Sequence, residues 1–207
     1  IGRHVNRLVG EQQVVLGSGM PGAYLGDLPY YIGEGAVIEP GAYIMGPAYI
    51  GAGAVVRHGA YVRENVIMMP GSVLGHASEA KHALLLPGAA APHFAYVGDS
   101  ILGHRVNLGA GTKLSNLGVL SRKDRTTGKR PTIRLQIDDV EYDTGLTKFG
   151  AILGDDAQPG CNAVLNPGSV VGARTLIYAN TSLRKGYYPA DSLVKLRQTV
   201  EVVERQA

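Results

Sequence analysis

The chain has 207 residues, 45% of them apolar, a length and composition that fit one globular or elongated domain rather than a disordered segment. Its 20 basic and 17 acidic residues leave a net charge of +3, too small to call for a nucleic-acid or membrane partner on electrostatic grounds. No run of about 18 apolar residues and no charged-then-apolar leader occurs, so neither a span nor a signal peptide is expected. The single cysteine, Cys161, excludes an intramolecular disulfide and a cysteine-clustered zinc site, and fits a reducing, cytoplasmic setting. The first residue is Ile1 rather than Met, which leaves room for sequence upstream.

Residues 1–31 read as a lead-in. From Ile32 every sixth residue is apolar: Ile32, Ile38, Ile44, Ile50, Val56, Val62, Met68, Leu74, Ala80 and Leu86. At the apolar fraction of this chain, ten such hits have a chance of roughly 0.0003, so the period is a property of the fold. Two residues before these sites stand Ala36, Ala42, Ala48, Ala54, Ala60, Val66, Ser72 and Ser78, small except at Val66. Three before stand Gly35, Gly41, Pro47, Gly53, Gly59, Asn65 and Gly71, residue types suited to a tight corner, with Gly and Asn accepting positive φ. An amphipathic helix repeats at three and four, so a period of six describes short strands separated by turns. The chain is expected to wind as a parallel β-helix whose coils hydrogen-bond about 4.8 Å apart.

After Leu86 the phase is expected to break through a Pro/Ala-rich excursion. It resumes at Leu102, Leu108 and Leu114, and again at Leu153, Pro159, Leu165, Val171, Ile177 and Leu183. The β-helix domain is thus placed at 32–190, interrupted by an insertion from Leu117 to Thr147. Within the insertion Arg122, Lys123, Arg125, Lys129, Arg130 and Arg134 precede Asp138, Asp139, Glu141 and Asp143. Two readings stay open: a solvated hairpin whose oppositely charged limbs pair, or a basic flap over a phosphate-bearing ligand. In the tail, 191–207, Asp191 would cap a short helix carrying Leu193, Leu196, Val200 and Val203 on one side, or the segment forms a final strand.

The six-residue repeat resembles the hexapeptide-repeat superfamily of left-handed parallel β-helices, many of them trimeric acyltransferases. The left hand comes from the resemblance, since the spacing says nothing of it. A closer likeness lies in Glu79-Ala80-Lys81, then Ala91-Pro92-His93-Phe94-Ala95-Tyr96-Val97-Gly98-Asp99, then Val106-Asn107-Leu108-Gly109-Ala110-Gly111-Thr112 and Asn116. These residues resemble the acetyltransferase domain of bifunctional N-acetylglucosamine-1-phosphate uridyltransferases and their archaeal sugar-1-phosphate relatives. The likeness is specific from Arg57 to Asn116 and weaker beyond. The nucleotidyltransferase domain of those proteins has no counterpart in these residues.

The resemblance implies a homotrimer that transfers acetyl from acetyl-CoA to the amine of a hexosamine 1-phosphate, between neighbouring subunits and without a metal. It assigns His93 as general base, Glu79 as the carboxylate supporting that imidazole, and the Ala110 N–H as an oxyanion or thiolate donor. Arg57, Lys81 and Tyr96 match groups that hold the sugar phosphate, and Asn107 and Asn116 match polar contacts to sugar and acetyl group. Cys161 and Ala179 fall at CoA-side positions, the thiol reading as a buried packing group rather than a nucleophile. With three hexads per coil, as the resemblance implies, Arg63 and Lys81 share an outward column, and two stacked cations call for an anion between them. Arg63 therefore joins the phosphate candidates.

Leu117 stands where the bacterial proteins have an aromatic residue, and their next lysine is replaced by Lys123 or Lys148. Two other readings compete. His58, His76 and His82 invite comparison with zinc-binding hexapeptide-repeat carbonic anhydrases, and the chain would also serve as a non-catalytic assembly or regulatory domain of a sugar nucleotidyltransferase. A change of acceptor is a further variant, since the pocket wall sets specificity.

Overall fold

The computed structural model describes residues 2–9, 14–15, 22–25, 29–119, 121–198, 200, 203 and 205, and the statements below concern these. They form an all-β parallel β-solenoid of about nine turns, consistent with the left-handed β-helix of hexapeptide-repeat proteins. Three flat faces are stacked coil upon coil. Face one is a nine-stranded sheet running from Val14–Val15 to Gly186–Tyr188, and face three an eight-stranded sheet from Tyr24–Leu25 to Ser182–Leu183. Face two comprises a four-stranded and a three-stranded sheet, bridged where Asn107 and Gly109 donate to Ala157 O and Pro159 O at 3.3 and 2.8 Å.

The expected apolar column points inward. Ile32, Ile38, Ile44, Ile50, Val56, Val62, Met68, Leu74 and Ala80 are fully buried, and the small column, Ala36 through Ser78, is buried beside it at the corners. Full burial of an Ile or Leu contributes roughly 1.5–3 kcal/mol, and small residues keep the corners narrow enough for the three faces to meet. The turn column also holds: Gly35, Gly41, Gly53, Gly59, Asn65 and Gly71 all take left-handed φ, while Pro47 makes its corner after a cis bond from Gly46.

Beyond Ala80 the register differs from a strict period of six. The inward residue is Leu85, fully buried, and Leu86 is half-buried. Two five-residue steps, Ala80 to Leu85 and Val97 to Leu102, shorten these coils to 17 residues. The Pro/Ala-rich stretch is therefore no excursion: Ala90–His93 is an ordinary strand pairing Val73–His76, with Ala91 inside. Strands also begin earlier than Ile32, at Val14–Val15 paired to Tyr31 and Ile32, and helix α1 (Gly2–Val9) packs Val5 against Ile67 on the outside of face one.

The insertion leaves and returns at the corner between faces three and one. Phe149 N–H donates to Asn116 O at 3.1 Å and Gly150 N–H to Asp99 O at 2.9 Å, so the solenoid closes across it without a gap. Its hairpin, Arg134–Ile137 antiparallel to Val140–Asp143, rests Leu135 against Gly168 of the solenoid. The expected pairing of basic and acidic limbs holds at one cation: Arg134 meets Glu141 at 3.0 Å and Asp143 at 3.8 Å. At the C-terminus the strand reading holds and the helix does not. Leu193–Val194 extends face two, no helix occurs among the described residues that follow, and Leu193, Leu196, Val200 and Val203 are exposed, leaving an apolar helix face nothing to cover it.

Candidate active site

The corner between faces two and three carries one residue per coil in a column: His58, His76, His93, Ala110, Cys161 and Ala179. Backbone hydrogen bonds fix the stacking, from Phe94 N to His76 O (3.0 Å), Gly111 N to His93 O (3.0 Å), Asn162 N to Ala110 O (2.8 Å) and Asn180 N to Cys161 O (2.8 Å). Four of the expected site residues, from coils 86 residues apart in the chain at the extremes, thus lie along one edge. His93 ends its strand and is exposed. Cys161 is exposed as well, against expectation, because it stands at the corner tip two residues past the inward Pro159, outside the core.

Below His93, the rings of His58 and His76 stack at 5.6 Å and 6°. Each Nδ1 meets a carbonyl of the preceding coil, Pro40 O at 2.7 Å and His58 O at 2.9 Å. A carbonyl only accepts, so Nδ1 carries the proton and Nε2 is left as the acceptor. His82 lies on a different corner, so His58, His76 and His82 do not converge within one chain, and among the described residues no group of three or more His, Cys, Asp or Glu is placed to hold a metal ion.

On face three, Glu79, Tyr96 and Lys113 share one outward column, and Arg63 and Lys81 the next, as the coil count foresaw. The inferred anion between those two cations is corrected by Glu64. Its carboxylate lies 2.8 Å from Lys81 Nζ and 3.6 Å from Arg63 Nε, and Glu79 accepts from Arg63 Nη1 at 2.9 Å. Two carboxylates of the chain already neutralise the pair. Within the chain Glu79 is therefore engaged by a guanidinium; no hydrogen bond joins it to the His93 ring among the described residues.

Charges here shift as the contacts require. Burial raises the Glu64 carboxyl, but the Lys81 hydrogen bond, a backbone hydrogen bond and the fields of Lys81 and Arg63 outweigh it and hold the pKa below the ordinary value. The Glu79 hydrogen bond raises Arg63, and burial, with Glu79 and Asp99 nearby, raises Tyr96, which stays a neutral phenol. Arg57 and Asn107 stand apart from this cluster, on face two, Arg57 after the inward Val56 and Asn107 pairing Ala90.

The third corner holds a polar chain that the sequence reading did not single out. Asn65 Nδ2 lies 2.8 Å from His82 Nε2, His82 Nδ1 is 3.8 Å from Asp99 Oδ1, and Asn116 Nδ2 donates to Asp99 Oδ2 at 2.5 Å. The signal was their spacing of 17 residues, one short coil each. A cavity of about 390 Å³ opens here between His82, Asp99 and the returning end of the insertion, Lys148 and Phe149. Lys148 is thus the lysine brought near Asn116, while Lys123 lies in a separate hollow of the insertion.

The model of the family described as bacterial transferase hexapeptide (six repeats) matches residues 29–64. Among curated proteins, the chain is 33% identical over 100 residues to a bifunctional sugar-1-phosphate nucleotidylyltransferase/acetyltransferase of Sulfurisphaera tokodaii, covering 48% of this chain and 23% of that protein. It is 33% identical over 109 residues to the bifunctional protein GlmU of Methanococcus vannielii (53% and 24%), and 30% over 125 residues to that of Staphylococcus saprophyticus (59% and 22%). The matched stretch spans about a quarter of the length of these relatives. Among solved structures, an Arabidopsis UDP-N-acetylglucosamine acyltransferase is 12% identical with a TM-score of 0.46, covering 83% of this chain and 67% of that one. The acetyltransferase domain of PglB from Neisseria gonorrhoeae, solved with acetyl coenzyme A, is 16% identical with a TM-score of 0.40, covering 74% and 51%. At this distance neither bears on what this chain binds.

Proposed function

We propose that the chain transfers acetyl from acetyl-CoA to the amine of a hexosamine 1-phosphate, acting as a homotrimer in the cytoplasm. The observation that carries this reading is the alignment of His93, Ala110, Cys161 and Ala179 along one corner, with Lys81 and Tyr96 on the adjoining face. The exposed His93 imidazole accepts the proton as the acceptor amine attacks the thioester carbonyl. The Ala110 N–H, one coil on, faces the developing oxyanion. Collapse forms the amide and expels the CoA thiolate, which takes the proton back from His93. Lys81 and Tyr96 serve the sugar phosphate, and Arg57 and Asn107, on the other face of the corner, serve a neighbouring subunit's site.

The name of the Sulfurisphaera tokodaii relative, a bifunctional sugar-1-phosphate nucleotidylyltransferase/acetyltransferase, supports the acceptor class. Release of free thiol from acetyl-CoA, measured against a panel of amino sugars and their 1-phosphates, tests it; no product on any member sinks it. The engagement of Glu79 by Arg63 rather than by His93 favours a second reading, a non-catalytic assembly or regulatory domain. Such a domain would form trimers and release no thiol.

A further inference from the structure

Several cations of this molecule follow one rule, that a carboxylate neutralises them, although among the described residues no ion pair reaches the adjacent Arg184 and Lys185. Arg63 and Lys81 have Glu64 and Glu79, Arg105 is bidentate to Asp156 at 2.8 and 2.7 Å, and Arg174 to Asp191 at 2.6 and 2.7 Å. The segment 122–130 of the insertion departs from this rule. Arg122, Lys123, Arg125, Lys129 and Arg130 stand within nine residues, and among the described residues no ion pair reaches any of them.

Three of the insertion's acids are engaged elsewhere. Asp124, the one carboxylate in the segment, accepts at Oδ1 from Thr126 N (3.0 Å), Thr127 N (2.7 Å) and Thr127 Oγ1 (2.9 Å). Glu141 and Asp143 are taken by Arg134. The loop is also built rather than slack. Asp124 N–H donates to Lys129 O at 2.8 Å and Gly128 N–H to Asp124 O at 2.9 Å, which sets the Arg122–Lys123 limb against the Lys129–Arg130 limb. Between the limbs lies a hollow of about 540 Å³ lined by these four cations together with Thr127, Pro131 and Asp124, whose Oδ1 is taken up by the Thr126 and Thr127 donors, so the lining carries four positive charges against one negative.

Holding like charges together with backbone hydrogen bonds raises the energy of the empty loop and lowers it when a multiply charged anion enters. We propose that this hollow binds the phosphates of a small nucleotide, either the 3′-phospho-ADP end of the acyl-CoA donor or the diphosphate of a nucleotide-linked sugar. A long polyanion is less favoured, because the same insertion carries at its hairpin turn the acids Asp138 and Asp139, which no ion pair reaches among the described residues. The site deepens the acetyl-transfer reading if CoA is the occupant, but its occupancy is measurable without turnover.

The test is calorimetric titration of the full chain with CoA, dephospho-CoA and UDP-N-acetylglucosamine at 50 and 200 mM salt. It compares the native protein with the Lys123→Ala/Lys129→Ala/Arg130→Ala variant, whose substitutions lie at the loop surface. At least one nucleotide is expected to bind about tenfold more weakly to the variant and to lose most of its salt dependence. A preference for CoA over dephospho-CoA that disappears in the variant names the donor's 3′-phosphate; loss confined to the UDP-sugar names the diphosphate of a nucleotide-linked sugar as the occupant. Affinities within twofold between the two proteins, or a single-stranded oligonucleotide that alone responds to the variant, overturn the proposal. In turnover, the variant should raise the KM for whichever nucleotide binds. Nucleotide binding without thiol release would sink the acetyltransferase reading and leave this site standing, and thiol release with every KM unmoved would do the reverse.

Discussion

Asn116 donates from Nδ2 to Asp99 Oδ2, one coil below it at the corner where the insertion departs. A carboxylate only accepts, so it fixes which end of the amide faces it and leaves Oδ1 as the group Asn116 offers to a ligand. Replacing Asn116 by Asp sets two carboxylates together and is expected to lower kcat/KM for acetyl transfer by about 10- to 100-fold. Exchanging the pair, Asp99→Asn with Asn116→Asp, restores one donor and one acceptor and should recover most of that loss. An exchange no better than the single change would show that orientation of this amide is irrelevant.

His93→Ala should reduce acetyl transfer by roughly 100-fold or more. Because the ring is exposed and outside the core, thermal unfolding should be unchanged. A loss of activity matched by a lowered Tm would instead mark His93 as structural.

The Glu64 carboxyl is held below the ordinary glutamate value in the folded chain. Its contribution to stability is therefore complete above the unfolded pKa, about 4.3, and is lost as pH falls through the lower folded value. Denaturant midpoints for native protein and Glu64→Gln should diverge at neutral pH and converge in acid. A constant difference across pH 3 to 7 would contradict the ion pair with Lys81.

Backbone crowding separates two glycines. A Cβ at Gly53 meets nothing within 4 Å, so Gly53→Ala bears only the left-handed φ of 62° and should cost roughly 1–2 kcal/mol. A Cβ at Gly75 would lie 1.7 Å from Pro92 O in the next coil, where no side chain can yield, and Gly75→Ala should exceed about 4 kcal/mol or fail to fold. Leu74→Ala, fully buried, should fall between, at 2–5 kcal/mol with a cavity left behind. Urea unfolding ranks the three.

The parts of this molecule legible in the residue order were those that repeat along it. Ile32 to Ala80 face inward and Gly35 to Gly71 turn the corners because each coil asks the same two things of every sixth residue, and both requirements are local. The neighbourhood of Arg63 and Lys81 followed as well, since those coils are 18 residues long. The motif around His93 placed it on the edge with Ala110 and Cys161. Contacts across coils were hidden where length changed: the five-residue steps at Leu85 and Leu102 slide every later partner by one, which moved Leu86 off the inward column and concealed the Asn65, His82, Asp99 and Asn116 chain.

Sequence by itself determined that the chain is a β-solenoid and which residues its axis buries. Only the tertiary structure decided that Glu64 neutralises Lys81, that Glu79 turns to Arg63, that Cys161 lies outside, and that among the described residues no ion pair reaches the cations of 122–130. Inward burial depends on period alone, whereas pairing of charges depends on distances between coils, and those are set by the summed lengths of all the turns between them.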